Sequence, residues 1–286
     1  MKKFVALMLA MLMVLSLAAC GQEAAPAADD VASAGVLVFG TSADYAPYEF
    51  MYPNESGEMV YGGIDVSVAQ YIADYMGKEL QTVNMDFGYL LTALNKGDFD
   101  MVLACIEPTE ERIKAVDFSD AYIAELPEMI LIRAEDADKY QDVATDFDGV
   151  NVAAQTGTTK IDKATENLTG CNVVSLSLVP DMVNELVNGK VDAVYLDGGV
   201  AMNYVETNPD LAIAAASDAF ADQQNYLCVA VAKGDPKGLL SDINAAIAKL
   251  TEEGKIADFQ ALADSLSGVA QEVSADAPEG YTPDAG

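Results

Sequence analysis

Residues 94–103 read LNKGDFDMVL, and residues 186–195 read LVNGKVDAVY. The two segments align without a gap, and each contains a helix end, a Gly-containing turn, an Asp and an apolar strand. The repetition predicts two α/β lobes of similar plan, with equivalent strand ends facing each other across a cleft that binds a ligand. A chance similarity is the alternative, because ordinary helix-to-strand turns also favour Asn, Gly and Asp.

Short apolar runs alternate with amphipathic stretches around these two segments. Apolar residues at i, i+4 spacing predict a helix over residues 64–76, which Gly77 ends. The predicted buried strands are residues 36–40, 101–104, 150–154, 173–176 and 193–196. This alternation predicts an α/β fold with parallel sheets that helices cover on both faces.

Two further apolar runs, residues 129–133 (MILIR) and 226–232 (YLCVAVA), are extended segments that could be the two crossings between the lobes. The first lobe is then discontinuous and consists of residues 36–122 and 228–268. The second lobe consists of residues 123–227.

The composition excludes several functions. The chain has 286 residues, a formal charge of −31, no His and no Trp. The sequence lacks the excess of basic residues that nucleic-acid binding requires. The absence of His excludes His-dependent catalytic sites and His-ligated metal sites. Cys105, Cys171 and Cys228 lack metal-ligand spacing, and we expect buried small thiols. Neither a metal nor another cofactor is predicted.

The N-terminus has the order of features found in an export signal. A positive start and an apolar run lead to Cys20 in the sequence LAACG, which resembles a bacterial lipobox. We expect residues 1–19 to be a lipoprotein signal peptide and residues 20–35 a lipid-anchored flexible tether, with residues 269–286 a disordered acidic tail. The protein is then exported and held at the outer face of the cell membrane or in the periplasm. An ordinary signal peptide with an incidental Cys is the alternative.

Two charged residues follow predicted strands. Arg112 is one of only two arginines, and its planar fork could hold a carboxylate, although a surface pair with Glu111 or Asp117 is the alternative. Asp197 ends the strand before Gly198 and could hold an ammonium group or simply cap the next helix.

Other candidates are hydroxyl-bearing or aromatic. Residues 155–159 (QTGTT) open a helix after a strand, which is typical of either an anion site or a plain helix cap. Tyr45 and Phe87 could pack on a ligand. For Tyr48 and Phe50, core packing is the favoured interpretation.

Taken in order, these segments closely resemble the extracellular solute-binding proteins of family 3, the polar-amino-acid receptors of ABC importers. The resemblance covers about residues 36–266. It rests on residues 40–50 (GTSADYAPYEF), 63–66 (GIDV), 87–94 (FGYLLTAL), 109–112 (TEER), 117–122 (DFSDAY), 155–159 (QTGTT), 191–197 (VDAVYLD) and 230–235 (AVAKGD).

The resemblance implies a two-lobed periplasmic-binding-protein fold of the second type, joined by two hinge strands. It assigns Arg112 to the ligand α-carboxylate and Asp197 to the α-ammonium. Gln155, Thr158 and Thr159 would form the second lobe's contribution to the carboxylate, and Tyr45 and Phe87 would sandwich the ligand side chain.

Three positions depart from the family pattern. Ser42 replaces a frequent acid, Cys105 replaces a small residue, and Glu107 replaces Ser or Thr. We expect all three to line the specificity pocket. Glu107 would favour a cationic ligand such as Lys, Arg or ornithine, or would share the hydrogen bonding of the ligand ammonium. The alternative is that Glu107 faces solvent or pairs with Lys114.

The predicted function is a non-catalytic, monomeric receptor that delivers an amino acid to ABC permease and ATPase subunits. Two alternatives stay open. One is a ligand-sensing domain for a signalling partner. The other is a dehydratase or lyase on the same fold, with Glu107 or Asp197 as general acid or base.

Overall fold

The computed structural model describes residues 35–276. The predicted signal peptide, Cys20 and nearly all of the predicted tether lie outside the described residues, as do residues 277–286. No helix among residues 35–276 is long and apolar enough to cross a membrane.

Two five-stranded sheets form the cores of two lobes. In spatial order, the first sheet contains β5 (Glu79–Asn84), β1 (Val36–Thr41), β6 (Met101–Val102), β13 (Asn225–Ala232) and β7 (Val116–Glu125). The second sheet contains, in the same way, β10 (Asn172–Leu176), β9 (Asn151–Gln155), β11 (Ala193–Leu196), β8 (Met129–Arg133) and β12 (Leu211–Ile213). A small antiparallel sheet is built from β2 (Asp44–Tyr45), β3 (Glu49–Pro53) and β4 (Met59–Gly62).

Eight α-helices cover the sheets within the described residues. They are α1 (Ile64–Tyr75), α2 (Phe87–Lys96), α3 (Glu110–Ala115), α4 (Lys160–Asn167), α5 (Val179–Val187), α6 (Gly198–Thr207), α7 (Leu240–Glu252) and α8 (Lys255–Asp276). Short 3₁₀ turns lie at Ala134–Asp136 and Ala215–Phe220.

The two large sheets have the same plan, which confirms the lobes predicted from the repeat. In each sheet, the first three strands in spatial order are parallel to one another. The fourth strand pairs antiparallel with the third, and the fifth pairs antiparallel with the fourth. The Asp of each repeat has the same role. Asp100 accepts the Val38 amide at 2.6 Å, and Asp192 accepts the Asn151 amide at 3.0 Å. Each Asp thus ties the turn before its own strand to the neighbouring parallel strand, β1 in the first lobe and β9 in the second. The matching sheets make this a two-lobed periplasmic-binding-protein fold of the second type.

The predicted crossing at residues 129–133 is wrong. This segment is β8, which pairs with β11 on one side and β12 on the other. Its apolar run reflects burial on both faces, since Ile130, Leu131 and Ile132 are fully buried. The chain instead leaves the first sheet at the end of β7 and passes to β8 through residues 126–128.

The second crossing leads into β13, whose first residue, Asn225, pairs with Glu125 at the end of β7. The predicted strand at residues 226–232 is therefore confirmed. The predicted lobe boundaries at 122/123 and 227/228 fall inside the paired parts of β7 and β13, because this two-stranded ladder extends to the crossings.

Helix α8 continues to Asp276, so the tail predicted to begin at Val269 is wrong for residues 269–276. Those residues contain no Gly or Pro, and the first helix-breaking residue is Pro278. The three cysteines among the described residues are free thiols. Cys105 and Cys228 are buried as predicted, whereas Cys171 is half-buried.

Candidate functional site

A cleft between the lobes brings together every ligand-binding residue predicted from the sequence. The first lobe lines it with Ser42, Asp44, Tyr45, Glu49, Phe87, Ala104, Cys105, Glu107 and Arg112. The second lobe lines it with Gln155, Thr158, Thr159, Lys160 and Asp197. Asp44, Glu49 and Lys160 were missed as site residues by the sequence reasoning.

Helix α3 positions Arg112. The Thr109 hydroxyl caps the helix by accepting the Arg112 amide at 3.1 Å, as expected for a Thr at an N-cap. The guanidinium stacks over the Phe87 ring, 5.2 Å from its centroid. It donates to the Glu107 carboxylate at 2.9 Å and to the Glu107 carbonyl at 3.2 Å. Arg112 is thus a buried, oriented cation and not the surface residue of the alternative interpretation.

Asp197 stands at the N-cap position of α6, but its side chain makes no capping bond. Its carboxylate turns into the cleft. There it accepts the Tyr45 hydroxyl at 2.7 Å and contacts Lys160 Nζ at 2.8 Å. Burial raises the pKa of Asp197, and Lys160 opposes that rise. The Cys105 thiol lies 3.9 Å from this carboxylate. Cys105 and Asp197 each lie five residues beyond the Asp of the repeat, Asp100 or Asp192, so two corresponding positions meet across the cleft.

Lys160 is the first residue of α4, and its ammonium is buried among carboxylates. Nζ lies 2.8 Å from Asp197, 3.3 Å from Glu128 and 3.9 Å from Glu107. Burial alone would lower the pKa of Lys160, but these three acids outweigh it and hold the pKa well above its usual value. A Lys in a first helical turn opposes the helix dipole. That mismatch, directly after QTGTT, is the sequence signal that could have found it.

Glu107 bridges the lobes. Its carboxylate accepts from Arg112 on its own lobe and from the Thr159 hydroxyl of the other lobe, at 2.8 Å. Burial favours the neutral acid, but Lys160 and Arg112 together lower the pKa of Glu107 to about 2. The alternative interpretation, in which Glu107 faces solvent or pairs with Lys114, is therefore wrong.

The QTGTT turn is organised by its own hydroxyls and by the opposite lobe. The Thr158 hydroxyl donates to the Gln155 carbonyl at 2.7 Å and accepts the Lys160 amide at 3.2 Å. The Gln155 side chain donates to Asp44 at 3.2 Å. The segment is thus a hydroxyl-stabilised turn that also lines the cleft, and the N-cap residue Thr159 makes no capping bond.

The lobes touch at two glycines. A Cβ on Gly157 would lie 2.6 Å from the Gly88 Cα, and Gly157 has a φ of +80°. Asp44 also joins the lobes, since it accepts the Val179 amide of the second lobe at 2.9 Å. Only glycine at position 157 allows α2 to approach the QTGTT turn this closely.

Buried acids extend from the cleft into the first lobe. Asp65 accepts the Cys105 amide and the Tyr122 hydroxyl, both at 2.7 Å, while burial raises its pKa to about 6. Glu49 is 1% exposed and its carboxyl group is paired with that of Asp65, while its Oε2 has no hydrogen-bond partner. Burial raises the pKa of Glu49 well above its usual value. The Ser42 hydroxyl donates to Asp44 at 3.0 Å. The acid expected at position 42 from the family pattern is therefore replaced by an acid two positions later, at position 44.

Core packing is confirmed for Tyr48 and Phe50, which are 3% and 4% exposed. The Tyr48 hydroxyl donates to Glu125 at the end of β7. Burial raises the pKa of Glu125 to about 8. Within the described part of the chain, no group of three or more acids or cysteines is arranged to hold a metal ion.

Two α/β lobes that are joined by two crossings of the chain and line a charged cleft define the class of solute-binding proteins. The sequence agrees, because residues 37–261 match the bacterial extracellular solute-binding proteins, family 3. The chain belongs to this family.

Individual relatives are similar over most of their length. The chain is 30% identical to the arginine-binding extracellular protein ArtP of Bacillus subtilis, over 90% of this chain and 95% of ArtP. It is 29% identical to a probable histidine-binding protein of Neisseria gonorrhoeae, over 89% of this chain and 92% of that relative. Among solved structures, the amino acid ABC transporter substrate-binding protein AbpA from Streptococcus pneumoniae, bound to L-arginine, matches with a TM-score of 0.76 and 32% identity. That match covers 82% of this chain and 97% of AbpA.

Proposed function

We propose that this protein captures a basic amino acid, L-arginine first, in the interlobe cleft and delivers it to an ABC permease. The observation that carries the proposal is the placement of Arg112 and Asp197. These are a buried cation from one lobe and a buried anion from the other, and both face one cleft. A zwitterion's carboxylate and ammonium need such fixed partners in a dry site.

The preference for a cationic side chain rests on the surplus of acids. Glu49 and Asp44 line the cleft, and Glu49 has a buried oxygen without a hydrogen-bond partner. A guanidinium or ammonium group would satisfy that oxygen. Glu107 is already engaged by Arg112 and Lys160, so Glu49 and Asp44 carry the argument for a cationic ligand. The arginine-binding relatives ArtP and AbpA support the same choice.

Calorimetry on protein unfolded and refolded to remove co-purified ligand tests the proposal. The panel is the twenty amino acids plus ornithine and citrulline, the last being a neutral analogue of arginine. We expect L-arginine to bind more tightly than citrulline by about tenfold or more. Tight binding of a neutral or acidic amino acid, with no basic one bound, would overturn the cationic preference. No binding across the panel would overturn amino-acid capture itself.

Export, a lipid anchor on Cys20, a monomeric state and docking to permease and ATPase subunits complete the proposal. The family consists of extracellular solute-binding proteins, and the signal-like N-terminus ends at Cys20. We propose no catalytic step, so arginine incubated with the protein should be recovered chemically unchanged by mass spectrometry. Formation of a product would favour the dehydratase or lyase alternative.

A further inference from the structure

Two side chains of the chain itself stand where the proposed ligand's charges would be held. Lys160 Nζ lies 2.8 Å from Asp197, the assigned partner of the ligand ammonium. The Glu107 carboxylate lies 2.9 Å from Arg112, the assigned partner of the ligand carboxylate. One ammonium and one carboxylate of the protein thus occupy both ion positions of an amino acid zwitterion.

These contacts fill the cleft. The space left among the lining residues would hold about one water molecule. Lys160 and Asp197 are 3% and 5% exposed, and Arg112 is 9% exposed. Because an amino acid is far larger than a water molecule, it must displace side chains from this arrangement to bind.

We propose that Glu107 and Lys160 act as an internal substitute for the ligand, and that an amino acid binds by exchanging into their two ion pairs. The inference rests on the proposed capture of a zwitterion. The ligand carboxylate takes Arg112 from Glu107, and the ligand ammonium takes Asp197 from Lys160. Glu107 and Lys160 therefore determine affinity and selectivity by competition.

The released groups have partners close by. Lys160 Nζ and Glu107 Oε1 are already 3.9 Å apart, so they can pair with each other once both are displaced. Lys160 also keeps Glu128 at 3.3 Å, and Glu107 keeps the Thr159 hydroxyl. Binding a zwitterion therefore replaces the Arg112–Glu107 and Lys160–Asp197 pairs by two pairs with the ligand and keeps the Lys160–Glu107 pair. No buried charge is then left alone, which is the condition for a tolerable buried ion pair.

The test is the affinity for L-arginine of Lys160→Met, Glu107→Gln and the double variant, measured by calorimetry. Each change removes a charged competitor, so each should tighten binding, with about tenfold or more for the double variant. Lys160→Gln and Glu107→Thr serve where the first pair folds poorly. If the single and double variants instead bind L-arginine more weakly, Glu107 and Lys160 contribute favourably to ligand binding and the proposal is overturned.

Matched controls lie next to both positions. Lys163→Met removes a cation from the same helix that also contacts Glu128, at 2.5 Å, but does not line the cleft. Glu110→Gln removes an exposed acid of α3. Both controls should bind L-arginine like the wild type. An equal gain in affinity in the controls would show a general charge effect and overturn the proposal.

Small-angle X-ray scattering on refolded, ligand-stripped protein gives a readout that does not depend on amino-acid binding. Glu107 joins the lobes through Thr159 and Lys160, so the double variant should be more open and have a larger radius of gyration than the wild type. Equal radii would overturn the inference. If the wild type binds no amino acid, the proposed function fails, and the scattering result still decides whether the internal pairs hold the lobes together.

Discussion

Replacing Arg112 by Met should remove the carboxylate clamp while retaining an apolar chain against Phe87. The Arg112 guanidinium is buried, oriented by the Thr109 cap and stacked 5.2 Å from the Phe87 ring centroid. Truncating one partner of such a buried, hydrogen-bonded charge pair costs about 2–5 kcal/mol. At about 1.4 kcal/mol per factor of ten, the affinity for L-arginine should fall by about 30-fold to several thousand-fold.

The assay is calorimetry on refolded protein, with thermal unfolding as the check that the variant is folded. Arg112→Lys keeps the charge but loses the planar fork, so its affinity should lie between those of the wild type and Arg112→Met. Lys114→Met on the exposed side of α3 is the matched control and should bind like the wild type. An Arg112→Met affinity within about threefold of the wild type would refute the assignment of Arg112 to the carboxylate.

Three further changes probe closure, buried charge and anchoring. Gly157→Ala should weaken L-arginine binding and open the lobes in scattering, because its Cβ would meet Gly88 at 2.6 Å. The control Gly88→Ala, whose Cβ lies 3.8 Å from Gly157, should do neither. The pKa of Asp65 is raised to about 6, so the native state binds an extra proton and the free energy of unfolding should fall as pH rises from about 4 to about 6. Asp65→Asn should remove up to about 3 kcal/mol of that fall, measured by urea titrations at several pH values. If the free energy of unfolding of the variant depends on pH as in the wild type, a raised pKa at Asp65 is contradicted. Cys20→Ala should release the exported protein from membranes into the soluble fraction, whereas continued membrane association would argue against a lipid anchor at this position.

Much of the fold could be predicted because its signals are local. The repeat of helix end, turn, Asp and strand was visible in the sequence, and Asp100 and Asp192 do perform the same hydrogen bonding in both lobes. Burial on both faces makes a strand such as β8 continuously apolar, and a crossing strand can be equally apolar. Apolarity alone therefore could not separate residues 129–133 from a crossing. Only the pairing with β11 and β12 does so.

The site was less predictable because its contacts join residues remote in sequence. Arg112 and Asp197 were found through the family pattern, and the geometry brings both to one cleft. Lys160 could not be paired with Asp197 and Glu128 from the sequence, since the three residues are more than 30 positions apart along the chain. Glu107 showed the same difficulty. Its partners are Arg112, five residues away, and Thr159 on the opposite lobe, whereas sequence proximity suggested Lys114.

The total charge of the chain is a poor predictor of what this cleft binds, and the ion pairs within the cleft are a better one. The chain carries a formal charge of −31, yet both cations that line the cleft, Arg112 and Lys160, are matched to carboxylates within 3 Å. A ligand therefore encounters paired charges in the cleft and not unpaired ones. Long-range attraction to the negative protein surface consequently affects the rate of encounter more than selectivity. Under the proposed exchange, selectivity would follow from which pairs the ligand can enter without leaving a charge buried alone. A zwitterion would enter both pairs, and a cationic side chain would add a partner for the buried Glu49 oxygen that has none among the described residues.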